Sequence, residues 1–160
     1  SEISHYAPLC DAFVVAIGGQ HGKCRCEIAD LLKSEYGLRP LLMLHEKSYV
    51  CDTARFGEGL MMMPGSVIHS YTSLGSQCIV NTNASIDHEC QIGNGVHLMG
   101  GSVITGRVRI GDYATIGSNA TILPDLEVGE GAFIGAGAVV TKNVPDGAVL
   151  VGVPARPHRK

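Results

Sequence analysis

Residues 98–122 read LMGGSVITGRVRIGDYATIGSNATI, with Leu98, Ile104, Ile110, Ile116 and Ile122 falling at every sixth position. A period of six is neither the 3.6 of a helix nor the 2 of an isolated strand, so the stretch is one part of an internal repeat. The register extends in both directions without a break: every sixth residue from Val50 to Val140 is apolar. With roughly 40% of residues apolar in an ordinary chain, chance yields such a run with a probability on the order of one in a million. Four residues after the apolar position the side chain is usually small, as at Ala84, Cys90, Ser102, Ala114, Ala120 and Ala132. Glycine follows the apolar position at Gly57, Gly75, Gly93, Gly111 and Gly129, a constant spacing of three hexapeptides. Three hexapeptides therefore make one circuit.

This pattern predicts an all-β parallel β-helix of triangular section over residues 48–144. Each hexapeptide supplies a short strand and a corner, the apolar residue fills the prism, and glycine relieves the backbone at the corners. The hexapeptides from Val50 to Val140 amount to about five circuits, or a prism of roughly 25 Å at the usual strand spacing. The spacing leaves the handedness open. A narrow interior also accounts for a chain with 21 glycines, no tryptophan and only 5% aromatic residues.

The remaining composition bounds the function. At 160 residues and 45% apolar, the chain is long enough for one buried core and too apolar for low-complexity disorder. A net charge of -3 gives no electrostatic case for a nucleic-acid backbone or an anionic membrane. No apolar run approaches the roughly 18 residues that span a bilayer, and no secretory leader opens the chain, so membrane insertion is not expected and a cytoplasmic location is. The first residue is Ser1 and not methionine, which suggests trimming at the front. The six cysteines (Cys10, Cys24, Cys26, Cys51, Cys78 and Cys90) contain no CxxC pair; they read as small core fillers of a reduced compartment, and no chemistry is assigned to them.

Residues 1–47 hold only four of the glycines and follow another rule. Phe13 to Ile17 is a short β-forming run, Gly18, Gly19 and Gly22 form a loop, and Cys24, Ile28, Leu31 and Leu32 recur at helical spacing. Gly37 stands where a helix C′ glycine is expected, and Leu41 to Leu44 is a second apolar run. The segment reads as one βαβ unit, too small for an independent domain. The Gly18-Gly19-Gln20-His21-Gly22 loop ahead of a helix suits either a phosphate cradle or a plain tight turn, since the full G-x-G-x-x-G pattern is missing. Residues 145–160 form a C-terminal tail.

The hexapeptide repeat, the stretch from Asn81 to Cys90 (NTNASIDHEC) and the closing Gly152-Val153-Pro154-Ala155-Arg156 together resemble the left-handed β-helix acyltransferases of bacterial surface-sugar biosynthesis. The nearest subgroup is the sialic acid O-acetyltransferase (NeuD) family, with the N-acetyltransferases of nucleotide-linked amino sugars. The resemblance covers about residues 12–156. It implies acetyl-CoA as donor, a sugar amine or hydroxyl as acceptor, no metal, and a homotrimer with active sites between prisms. Members of that family usually begin with a fuller Rossmann-like nucleotide-sugar-binding domain, of which residues 1–47 resemble the second half. The acceptor is therefore the less defined partner.

Acetyl transfer from a thioester needs a base, an oxyanion donor and a surface for the pantetheine. His88 matches the family base, and Glu89 the carboxylate that orients it. Gly106 lies one full circuit beyond His88, so it stacks directly over the imidazole; by resemblance its N–H is the oxyanion donor. His97 follows His88 by half a circuit, so the two imidazoles meet only across chains. By resemblance His97 lies near the acetyl thioester, and Ser118 and Ala136, again one circuit apart, line the pantetheine groove. Lys142 and Arg156 are candidate partners of the CoA phosphates, with His158, Arg159 and Lys160 reading as a solvated basic tail. Asn81 and Gly19 are weaker candidates on the acceptor side. Met61, Met62 and Met63 read as packing.

Two other functions fit a hexapeptide prism. A zinc hydratase of the γ-carbonic anhydrase type uses histidines from adjacent chains, and His69 and His88 are one position off a full circuit and so nearly stacked, although the short histidine spacing of that family is missing. A non-catalytic β-helical assembly protein would show no response to CoA.

Overall fold

The computed structural model describes residues 2–158. The hexapeptide register becomes a parallel β-solenoid with three flat faces. Strands of the first face begin at Tyr49, Val67, Ser85, Val103, Thr121 and Val139; those of the second at Arg55, Ser73, Gln91, Arg109 and Glu127. The third face runs from Met43–Leu44 through strands beginning at Met61, Ile79, His97, Thr115 and Phe133 to Val149–Val151, where Arg156–Pro157 adds antiparallel. Every pairing along the prism joins residues three hexapeptides apart, as in Ile86 with Ile104 and Ile92 with Ile110, up to Phe133, which pairs with Val149.

The prism is about six circuits long rather than the expected five. Leu44 continues the register one hexapeptide below Val50, and Val144 closes the last circuit by a bridge to Val128. The inward residues Ile68, Ile86, Ile104, Ile122, Ile134 and Val140 are fully buried, with Ala84, Ala114, Ala120 and Ala138 filling the corners between them. Aliphatic branches and alanines alternate because two strands meeting at a tight corner leave room for a methyl group and little more. In the first circuit, which pairs with no strand below it among the described residues, Leu44 and Phe56 remain 44% and 37% exposed.

The glycine column plays a different part from the one expected. The left-handed corner position falls three residues after the inward one, and it is often not glycine: Tyr71, Asn83, Glu89, Arg107, Tyr113 and Asp125 all have φ near +60°. Glycines directly after the inward residue are needed for close approach. A Cβ on Gly93 would stand 2.7 Å from the Asp112 nitrogen, and one on Gly111 2.6 Å from that of Glu130. At the same corner, side chains cap the backbone of the neighbouring circuit: Asn94 Oδ1 accepts from Ser76 N (2.9 Å), and Asp112 Oδ1 from Asn94 N (2.7 Å).

The front of the chain is one short βαβ unit. A helical turn α1 (Glu2–Tyr6) precedes β1 (Ala12–Phe13), helix α2 (Gly22–Tyr36) and β2 (Arg39–Pro40), which pairs parallel with β1. The strands are shorter than the apolar runs suggested. Of the second run, Met43–Leu44 leaves the unit and joins the prism, because Leu44 satisfies the hexapeptide register. Gly37 ends α2 in the left-handed conformation (φ 65°), with Leu38 N–H donating to Leu32 O, as the C′ glycine predicts. The cysteines do not behave alike: Cys78 and Cys90 are core fillers, whereas Cys10 and Cys24 are exposed and Cys26 and Cys51 half-buried. Burial pushes the Cys78 thiol up to about 12, which keeps it inert.

Because inward and outward residues alternate within each two-residue strand, neighbouring substitutions should differ sharply. Ile92→Ala is expected to cost about 2–5 kcal/mol in a denaturant titration, and Gln91→Ala, facing solvent on the same strand, under about 0.5 kcal/mol.

Candidate functional site

The corner between the first and second faces carries His88 and Glu89. Asp87 Oδ1 accepts from the His88 backbone N–H (2.8 Å), and the carboxylate of Glu89 lies 3.0 Å from His88 Nδ1. That contact places the proton on Nδ1 and leaves Nε2 as the free lone pair. The ring stands half-exposed beneath Gly106: a Cβ there would be 2.7 Å from both Cε1 and Nε2. The glycine is thus required for the imidazole to sit where it does. Its N–H has no hydrogen-bond partner among the described residues, whereas Arg107 N–H beside it donates to His88 O (3.0 Å). The imidazole edge with Nε2 and the Gly106 backbone thus lie side by side.

The opposite side of the prism carries His97, outward on the third face but only 4% exposed. The front segment covers it. Gly18 lies over the ring, where a Cβ would come within 3.4 Å of Cε1, and Thr115 Oγ1, one circuit above, donates to Gly19 O (3.3 Å). His97 Nε2 is 3.4 Å from Asn81 Nδ2, while Nδ1 is buried with no hydrogen-bond partner among the described residues. Burial first, then the Arg25 guanidinium, hold this imidazole below its ordinary range.

Arg25 fixes that cover in place. It is fully buried on α2, with no carboxylate paired to it among the described residues, and its guanidinium donates to three backbone carbonyls: Ile17 O (2.6 Å), Gln77 O (2.8 Å) and Gly95 O (2.7 Å). One side chain ties the glycine loop to two successive circuits. Gly22 completes the contact, since a Cβ there would overlap the Gly95 carbonyl. Sequence reasoning missed Arg25, because a lone arginine on an amphipathic helix reads as solvated. The only available sign was its place on the same helix face as Gly22 and Ala29, at the i, i+3, i+7 spacing.

The expected site residues thus fall into separate groups. His88, Glu89 and Gly106 come together at one corner. Asn81 and Gly19 meet His97 on the other side, and Ser118 and Ala136 occupy successive circuits of the corner beside it, where Gly137 N donates to Ser118 O (2.8 Å). Lys142 is exposed in the His88 column, three circuits above, and shares a hollow of about 320 Å³ with Arg156 and Thr141. Arg159 and Lys160 lie outside the described residues. The glycine loop opens on a larger cavity of about 470 Å³, lined by Gln20, Lys23, Tyr113, Thr115, Glu130 and Phe133 among others, at the N-terminal end of α2. His69 packs edge-on against Tyr49 (6.4 Å), and among the described residues no three His, Cys, Asp or Glu side chains converge on one point. No helix among them is long and apolar enough to cross a membrane.

Residues 89–124 and 107–142 match the family described as bacterial transferase hexapeptide (six repeats). No curated protein matches the sequence significantly. Among solved structures, the acetyltransferase domain of PglB from Neisseria gonorrhoeae FA1090 is 31% identical over 92% of this chain and 70% of its own, with a TM-score of 0.87, and has also been solved with acetyl coenzyme A. PerB from Caulobacter crescentus, in complex with CoA and GDP-perosamine, is 29% identical over 97% of this chain and 76% of its own, with a TM-score of 0.92. WeeI from Acinetobacter baumannii AYE is 32% identical over 99% of this chain and 76% of its own, with a TM-score of 0.89. The solenoid agrees with the left-handed β-helix that the resemblance implied.

His97 gives a test of the buried arrangement that needs no substrate. Its proton affinity is lowered in the fold, so below the ordinary value of 6.5 the unfolded chain binds more protons and the fold loses stability as pH falls. Calorimetric melting is expected to drop between about pH 7 and pH 5, with a shallower drop in His97→Gln. An equally steep drop in the variant would show that another group is responsible.

Proposed function

Because this chain belongs to the hexapeptide-repeat acetyltransferases, we propose that it moves the acetyl group of acetyl-CoA to the amine of a nucleotide-linked amino sugar in bacterial surface-glycan assembly. The observation that carries the reading is the His88 ring under Gly106, with Nδ1 on Glu89 and Nε2 beside the Gly106 backbone, whose N–H has no partner among the described residues. The relatives support the donor and the acceptor class: PerB is solved with CoA and GDP-perosamine, and the PglB domain with acetyl coenzyme A.

In the reaction, His88 Nε2 takes the proton of the attacking amine while its nitrogen bonds to the thioester carbonyl carbon. Glu89 holds the imidazolium through Nδ1–H, and Gly106 N–H donates to the carbonyl oxygen as it gains negative charge. Collapse of the tetrahedral centre breaks the C–S bond, and the imidazolium returns its proton to the departing thiolate. His97 belongs to the other half of the site. Its covered ring keeps Nε2 near Asn81 on the third face, beside the Ser118 and Ala136 corner where the pantetheine would run, and Lys142 with Arg156 would meet the phosphates.

One prism holds these halves on opposite sides, so a complete site needs the His88 corner of one chain against the third face of another. A closed ring of three satisfies that requirement with one repeated interface, each chain giving one half to each neighbour. Light scattering after gel filtration should then report about 50 kDa, three times the 16.8 kDa chain. The acceptor end of the site lies toward the glycine loop and the cavity at α2.

The decisive assay is thiol release from acetyl-CoA with nucleotide-linked amino sugars. His88→Ala is expected to lower kcat by about 10²- to 10⁴-fold while leaving CoA binding by calorimetry unchanged. Full turnover in that variant would show that His88 is not the base.

A further inference from the structure

Glu89 belongs to a column of charges. Tyr71, Glu89, Arg107 and Asp125 occupy the same corner position in successive circuits, all with φ near +60°. Backbone bonds fix the stacking: Glu89 N donates to Ser70 O (2.9 Å), Arg107 N to His88 O (3.0 Å) and Asp125 N to Gly106 O (3.2 Å). Side chains one circuit apart start about 4.8 Å from each other, within reach of any long residue. The order along the column is neutral, negative, positive, negative.

Arg107 stands between two carboxylates and is committed to one. Its Nε donates to Asp125 Oδ1 (2.6 Å) and its Nη2 to Asp125 Oδ2 (2.8 Å), a bidentate pair. Glu89 points the other way, to His88 Nδ1 at 3.0 Å. The two arrangements are linked. A guanidinium without Asp125 has Glu89 as the adjacent carboxylate in its column, and a bidentate charge pair outcompetes a single bond to a neutral imidazole. Glu89 drawn to Arg107 no longer holds the His88 proton on Nδ1 or steadies the imidazolium.

We propose that Asp125 is a positioning residue for acetyl transfer: by holding Arg107 in a bidentate pair it keeps Glu89 free to orient His88. The proposal rests on the assignment of His88 as base. Two other charged groups are near His88: Asp87, which accepts from its backbone N–H and is outside this competition, and Asp125 itself, whose carboxylate interacts with the imidazole directly, an effect the double variant separates because it lacks the same carboxylate. The Arg107–Asp125 pair is more than half exposed on both sides, so its direct part in fold stability is small. Its effect is on which carboxylate the guanidinium takes.

The test compares Asp125→Asn, Arg107→Gln and the double variant in the thiol-release assay, with melting temperature as a control for the fold. Asp125→Asn is expected to lower kcat about tenfold, with the KM for acetyl-CoA within about twofold and melting nearly unchanged. Adding Arg107→Gln to Asp125→Asn is expected to restore kcat to within about threefold of the parent, because the competitor is gone. Full kcat in Asp125→Asn, or a double variant no better than that single one, would overturn the proposal while leaving the base assignment to stand on His88→Ala. Full turnover by His88→Ala would overturn both.

Discussion

The closure of one circuit by three hexapeptides is the constraint from which the rest of the structure follows. Each inward aliphatic residue sits on the one a circuit below, and each outward backbone group bonds to its counterpart in the next circuit, as in Ser85 N to Ser102 O and Val103 N to Ala120 O. Most contacts between strands are therefore repetitions of one contact. Repetition also turns position in sequence into position in space, so residues one circuit apart become neighbours whether or not they are alike. His88 and Gly106 form a working pair for that reason, and Glu89, Arg107 and Asp125 form a column for the same reason.

The front segment is held by a different kind of force. Its helix buries little apolar surface of its own: only Gly22, Arg25 and Ala29 are buried. The attachment depends on an arginine that commits its donors to carbonyls. A guanidinium taken out of water is costly unless nearly all its N–H groups are satisfied, and here the prism supplies two acceptors and the glycine loop a third. This arrangement closes over His97 and keeps the imidazole dry. The segment is thereby part of the wall of the candidate site, whatever it binds on its far side.

Much of this was legible in the sequence, and the part that was not has a physical reason. Inward positions from Val50 to Val140 are fixed by one property, hydrophobicity, at one period, so the three faces and the stacking of His88 under Gly106 could be read directly. Strand limits in the front segment could not, because Leu41 to Leu44 is equally apolar in either partner and only the register of Leu44 decides. The left-handed corners escaped notice because glycine is the usual marker and Tyr71, Glu89, Arg107 and Asp125 stand there instead, their strain offset by the neighbouring circuits. Arg25 and Asp125 were missed because charged residues read as solvent-facing until a partner is seen. Both act on groups far away in sequence or a full circuit off.

The three-faced cross-section gives the prism a rotational arithmetic. Adding one hexapeptide below His88 would turn everything after it by a third of a revolution and carry the imidazole from the first corner to another corner. Adding three would raise it by one strand spacing and leave its bearing unchanged. Length can therefore change in whole circuits without disturbing which side of the molecule a residue looks out from. The base and the glycine above it, being one circuit apart, form a unit that such insertions can lift as a whole but cannot enter.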